Sequence, residues 1–118
     1  EFIKFFENQK TMGSIVIYHN TMGDTDVKYN IGINGDRIIR YDKNKDDPFL
    51  KYVEAGVSIF RKQLLDLIEA NQLVSLENDI FPILIKNKAL TGYQSPVKFC
   101  DIGTFDRLNL FQNFGFKP

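Results

Sequence analysis

Apolar residues fall in short separate runs, and their spacing switches along the chain between two and about 3.6 residues. Phe2, Ile3 and Phe6, with Lys10, share one helical face. They predict a helix over residues 1–11 that ends near Gly13. Ser14 to Tyr18 is a continuous apolar run, as expected of a buried strand. A polar loop from Asn20 to Asp26 follows, with Gly23 inside it. Val27–Ile33 and Arg37–Tyr41 then flank Asn34-Gly35-Asp36. Asn-Gly between β-prone runs predicts a hairpin, because both residues tolerate positive φ.

Residues 43–48 form a charged loop, and Tyr52–Phe60 reads as a strand interrupted by Gly56. A glycine there marks a bulge or a close backbone approach. Leu64, Leu65, Leu67 and Ile68 have helical spacing within Arg61–Ala70. Ser75 is placed to cap a further helix holding Leu76, Ile80, Ile83 and Leu84. Pro82 kinks or divides that helix, since it has no amide hydrogen. Leu90–Gln94 and Val97–Ile102 are the last expected strands, and Thr104 caps a closing helix to about Asn113. The order predicts an α/β fold, a mixed sheet with a hairpin and flanking helices, in one domain over 1–118 without internal repeats.

Composition narrows the functional classes. The 118 residues are 43% hydrophobic and 25% charged, as in soluble globular proteins. Lys+Arg and Asp+Glu are each 15, so no global basic field recruits nucleic acid. No apolar run approaches the roughly 20 residues of a membrane span. Cys100 stands alone, which makes the cytoplasm the default expectation. It reads as a small buried residue rather than a nucleophile, and the 11 phenylalanines read as core. His19, the only histidine, reads as structural or solvent-facing. The opening Glu1-Phe2-Ile3-Lys4 resembles a helix interior, so the chain is expected to start inside a larger protein.

Three segments, in order, resemble the sugar-phosphate nucleotidyltransferases. Tyr29 to Lys43 is similar to that family's hairpin, which closes on a Glu-Lys pair. Tyr52-Val53-Glu54-Ala55-Gly56-Val57-Ser58-Ile59-Phe60 resembles its Asn-Ala-Gly-Ile-Tyr-Leu-Phe strand, and Leu76-Glu77-Asn78-Asp79-Ile80-Phe81-Pro82 follows at the expected distance. Phe99-Cys100-Asp101-Ile102-Gly103-Thr104 is similar to the family's aromatic-X-Asp-X-Gly-Thr element. The family's Gly-rich phosphate loop and first metal-binding Asp have no counterpart here. The resemblance therefore implies the C-terminal, sugar-binding part of a Rossmann-like (GT-A-like) nucleotidyltransferase domain.

It also implies roles. Asp101 would be a metal ligand, for Mg²⁺, whose preference is carboxylate and phosphate oxygen. Lys43 would meet the sugar phosphate as a catalytic cation, and Asp42 would take the family's Glu position on sugar hydroxyls. Glu54, Gly56 and Asn30 would line the sugar pocket. The implied partners are a sugar 1-phosphate and a nucleoside triphosphate, joined with release of pyrophosphate. Neither nucleic acid nor membrane is implied, and assembly into a homo-oligomer is compatible with the sequence. A noncatalytic sugar- or nucleotide-binding homologue of the same fold is the alternative.

Overall fold

The computed structural model describes residues 1–114. Helix α1 (Phe2–Asn8) leads into strand β1 (Gly13–Tyr18), and a hairpin follows, β2 (Ile31–Asn34) and β3 (Arg37–Tyr41). Strand β4 (Val53–Phe60), helix α2 (Phe81–Lys86), strand β5 (Leu90–Gln94) and helix α3 (Phe105–Phe114) complete the order. The five strands form one mixed sheet in the order β2-β3-β5-β1-β4.

β1 and β5 are the parallel pair, Gly13 beside Leu90 and Ile17 beside Gln94. β1 runs antiparallel to β4, and β3 meets β5 through the single pair Arg37–Thr91. At the far end of the hairpin, Ile31 bridges Tyr52, just before β4. The two edge strands of the sheet are thus tied together at one end, and the hairpin spans the distance between sheet ends.

Side-chain alternation assigns the faces. Ile15, Ile17 and Leu90 pack with Ile80, Phe81 and Leu84 in the buried cluster, which also takes in Ile31, Ile38 and Leu64. On the other face, Tyr93 of β5 stacks against Phe2 and Phe5 of α1 at 5.4 Å each. Gly92 sits under Ile17, where a Cβ would lie 2.8 Å from the Ile17 side chain. Not every phenylalanine is core, since Phe49 and Phe105 are largely exposed.

The α/β class and the hairpin follow the pattern in the sequence, but three local expectations do not hold. Residues 97–102 form no strand. The Ser95 hydroxyl donates to the Val97 carbonyl and accepts from the Val97 amide, so a Ser-Pro turn ends the ladder. Residues 62–67 make a 3-10 turn instead of an α-helix, because only Leu64 reaches the core while Leu65 and Leu67 stay exposed. Val27 lies outside the ladder, its carbonyl taken by the Asn20 amide.

Ser75 caps as expected, accepting from the Asn78 amide at 3.1 Å while Asp79 accepts from the Ser75 amide at 2.7 Å. Pro82 divides the segment into a π-type turn over Leu76–Ile80 and α2. α2 ends in a reciprocal pair, Ala89 N to Leu84 O and Lys88 N to Ile85 O, with Lys88 at φ +55°. Glycine is the usual residue at this cap. Lys88→Gly relieves the left-handed strain and adds backbone entropy to the unfolded chain, effects that partly offset. Thermal melts should show stability unchanged or raised by up to about 1 kcal/mol.

Candidate functional site

The carboxyl ends of β1 and β5 open into a cleft of about 640 Å³, the size of a small-molecule site. Crevices beyond the carboxyl ends of parallel strands are where α/β sheets hold ligands. Five of the six residues singled out in the sequence line it: Asn30, Lys43, Glu54, Gly56 and Asp101. They come from the loop before β2, the end of the hairpin, β4, and the turn before α3. Asp42 is not among the lining residues, and its carboxylate accepts from the Asn44 amide at 2.9 Å.

β4 positions two of these groups by a bulge. Ile15 pairs with Ser58 but Ile17 with Glu54, so β4 carries two extra residues there, with Gly56 at φ +72°. A Cβ on Gly56 would meet nothing within 4 Å. Glycine is therefore used for the left-handed backbone of a bulge, and the cleft stays open above it. Asn30 is buried, and its Oδ1 accepts from the Glu54 amide at 3.0 Å. Glu54 in turn accepts from the Tyr41 hydroxyl at 2.8 Å. Burial and the Glu54 charge together hold the Tyr41 proton far above its ordinary value of 10.0.

Both candidate charged groups have partners. Lys43 Nζ lies 2.7 and 2.6 Å from the two carboxylate oxygens of Glu77, which also lines the cleft. Asp101 sits on a turn, not at a strand end. Its Oδ1 accepts from Gly103 N at 2.8 Å and its Oδ2 from Arg107 Nη1 at 2.6 Å. Arg107 Nη2 also donates to the Asp26 carbonyl at 2.6 Å, with the Asp26 carboxylate 3.5 Å from Nε. One guanidinium thereby joins the two walls of the cleft. Thr104 caps α3 through the Arg107 amide at 3.3 Å, which fixes the turn carrying Asp101.

No group of three His, Cys, Asp or Glu residues that could hold a metal ion occurs among the described residues. Asp101 offers one hard-oxygen donor, with a lone pair remaining on each carboxylate oxygen beside its present bonds. It suits a Mg²⁺ site only as one ligand of a shared set. Cys100 is exposed on the cleft, not buried, since its segment is not a strand. His19 is structural: its Nδ1 accepts from the Thr21 amide, and its ring packs on Tyr29 and Tyr52.

Sequence reading missed Tyr41, Glu77 and Arg107. Tyr41 adjoins the hairpin's acid-lysine pair, and Glu77 lies in a quoted segment without a role. Arg107 lies six residues past Asp101, within reach only because the Gly103-Thr104 turn folds α3 back.

A mannose-1-phosphate guanylyltransferase of Mycobacterium tuberculosis (strain ATCC 25618 / H37Rv) is 28% identical over 71 residues, which is 58% of this chain and 20% of that protein. A Bacillus anthracis structure described as a glucose-1-phosphate thymidylyltransferase in complex with a sucrose superposes with a TM-score of 0.72. It shares 18% identity and covers 92% of this chain and 45% of its own. The chain is thus similar to sugar-phosphate nucleotidyltransferases, in sequence over 71 residues and in fold over most of its length. No family model matches it. The chain spans a fifth of the curated protein and under half of the solved one. No helix among the described residues is long and apolar enough to cross a membrane.

Two outcomes follow from this geometry. Asn30→Ala leaves the part-buried Glu54 amide without its acceptor and is expected to cost about 1–2 kcal/mol in denaturant unfolding. Tyr41 holds its proton more tightly folded than unfolded, so its contribution is full below pH 10 and is lost as pH rises above it. Tm should fall with pH above about 10, less steeply in Tyr41→Phe, as melts between pH 8 and 11 can check.

Proposed function

We propose that this chain is the C-terminal, sugar-binding part of a cytoplasmic sugar-1-phosphate nucleotidyltransferase. In that reaction a sugar-phosphate oxygen attacks the α-phosphorus of a nucleoside triphosphate, and the bond to the β-phosphate bridging oxygen breaks, releasing pyrophosphate. The observation that carries the reading is the convergence of Asn30, Lys43, Glu54, Gly56 and Asp101 from distant segments on one cleft.

Each group has a task suited to its chemistry. Glu54, steadied by Tyr41 at one oxygen, accepts sugar hydroxyls with the other. Lys43 offers a point charge to the sugar phosphate, and the phosphate takes Glu77's place as its partner. The Gly56 bulge leaves room for the ring. Asp101 would contribute one ligand to Mg²⁺, which when bound offsets the charge of the two approaching phosphates. Arg107 keeps that carboxylate oriented. The triphosphate loop and a second acidic ligand would come from outside these 118 residues.

One observation favours a second reading, a binding homologue without turnover. Lys43 and Asp101 are both already paired with protein charges, which competes with substrate and metal. A panel of sugar 1-phosphates and triphosphates against the full-length protein separates the two, since saturable binding without nucleotide-sugar formation leaves only the homologue. In the enzyme, Lys43→Ala should lower kcat/KM by roughly 10- to 100-fold, the range of a charge-assisted contact. The 118 residues alone should give no turnover with Mg²⁺. Nucleotide-sugar formation by them would overturn the division of labour.

A further inference from the structure

A second cleft, of about 810 Å³, lies at the opposite end of the sheet, by the start of β1 and the tip of the hairpin. Lys10, Arg37 and Lys88 line it, with Asp36 the one acidic residue, so its formal charge is +2 (three cations less one carboxylate). The whole chain is neutral, which makes this a local concentration of positive charge. Among the described residues, none of the three cations has an ion pair or a side-chain hydrogen bond; Lys45, Lys62 and Lys86 are equally unpaired, and what sets these three apart is that they line one cleft.

The walls are fixed by the fold rather than by the cations. Arg61, from behind, donates from Nε to the Thr11 carbonyl at 2.9 Å and from Nη2 to the Gln9 carbonyl at 2.6 Å. That clamps the segment carrying Lys10. Arg37 is set across from Thr91 by the one pair that joins β3 to β5, and Gly92 N donates to the Asp36 carbonyl at 2.8 Å. Lys88 occupies the left-handed cap of α2, where a glycine would be relaxed. Strained backbone retained at a cleft is a feature of binding sites, though here it only adds to the charge argument. The Thr11 and Thr91 hydroxyls, 3.3 Å apart, complete the lining.

We propose that this cleft binds a small molecule carrying two or more phosphates, separately from the candidate active site. Three cations sharing a cleft with a single carboxylate repel one another, and a polyphosphate lowers that repulsion while accepting hydrogen bonds from all three. The volume admits a nucleotide or free pyrophosphate. The zero net charge of the chain and the compact patch disfavour nucleic acid, which needs a long basic track.

The test uses the full-length protein, where a triphosphate loop would itself hold ATP or pyrophosphate, so the readout is the binding that substitutions in this second cleft remove. Calorimetric titration with inorganic pyrophosphate, and separately with ATP, should report one site that depends on the cleft's cations. Adding Lys88→Gly should lower affinity about tenfold, and Arg37→Ala on top of it about tenfold again. Thermal melts should show Lys88→Gly folded at least as stably as its parent, so a loss of binding is not a loss of fold. Tighter binding of ATP than of pyrophosphate assigns a nucleotide, and equal binding assigns the phosphates alone. Three results would overturn the site: no binding of either probe, binding unchanged by Lys88→Gly and Arg37→Ala, or binding only of an oligonucleotide. Each is read as a difference between parent and variant, so binding at a triphosphate loop elsewhere cancels.

Discussion

The seam between residues 30–31 and 51–54 holds the rest of the molecule in place. Ile31 exchanges backbone hydrogen bonds with Tyr52, Lys51 N also donates to the Ile31 carbonyl, and Asn30 binds the Glu54 amide through its side chain. β2 and β4 are opposite edges of the sheet, so these few bonds close one end of it. Without them the hairpin would meet the sheet only at its tip, through Arg37 and Thr91. Closing that end sets Glu54 and the β4 bulge beside Lys43 and gives the candidate cleft its floor. Asn30 is buried in this seam, so its amide serves the fold even where it also borders a ligand space.

Electrostatics divide the two ends of the sheet. At the carboxyl ends of β1 and β5 the charges are matched, Lys43 with Glu77 and Asp101 with Arg107. These pairs are partly exposed and contribute little to stability by themselves. Their consequence is positional: each keeps a long or mobile side chain in one place, and each must be shared or exchanged when a phosphate or metal enters. At the other end Lys10, Arg37 and Lys88 have no such partners among the described residues. The same neutral chain therefore presents one cleft whose lining is slightly acidic (two lysines, three carboxylates) and one whose lining is basic.

Much of the architecture was legible because its signals are local. Asn34-Gly35 marks the hairpin, Ser75 and Thr104 mark helix starts, and Pro82 marks the break before α2, each through backbone chemistry within a few residues. Gly56 announced a bulge for the same reason. Elements whose state depends on distant partners were misread. Val97–Ile102 has strand-like composition but the Ser95-Pro96 turn leads it away from the ladder, and Leu64–Ile68 has helical spacing but only Leu64 finds the core. Lys43, Glu54 and Asp101 were legible as candidates through motif resemblance, whereas Tyr41, Glu77 and Arg107 were not, since each acts by touching one of them.

What the sequence alone determined is the set of local decisions: where turns, caps and breaks fall, and which short segments resemble those of sugar-phosphate nucleotidyltransferases. Those depend on steric and hydrogen-bonding preferences of neighbouring residues. The tertiary structure decided which side chains face one another. It paired Lys43 with Glu77, 34 residues apart, and Arg107 with Asp26, 81 residues apart. It also gathered Lys10, Arg37 and Lys88 into one cleft. Such meetings are fixed by sheet order and strand register, which depend on burial summed over the whole core, so no single segment encodes them.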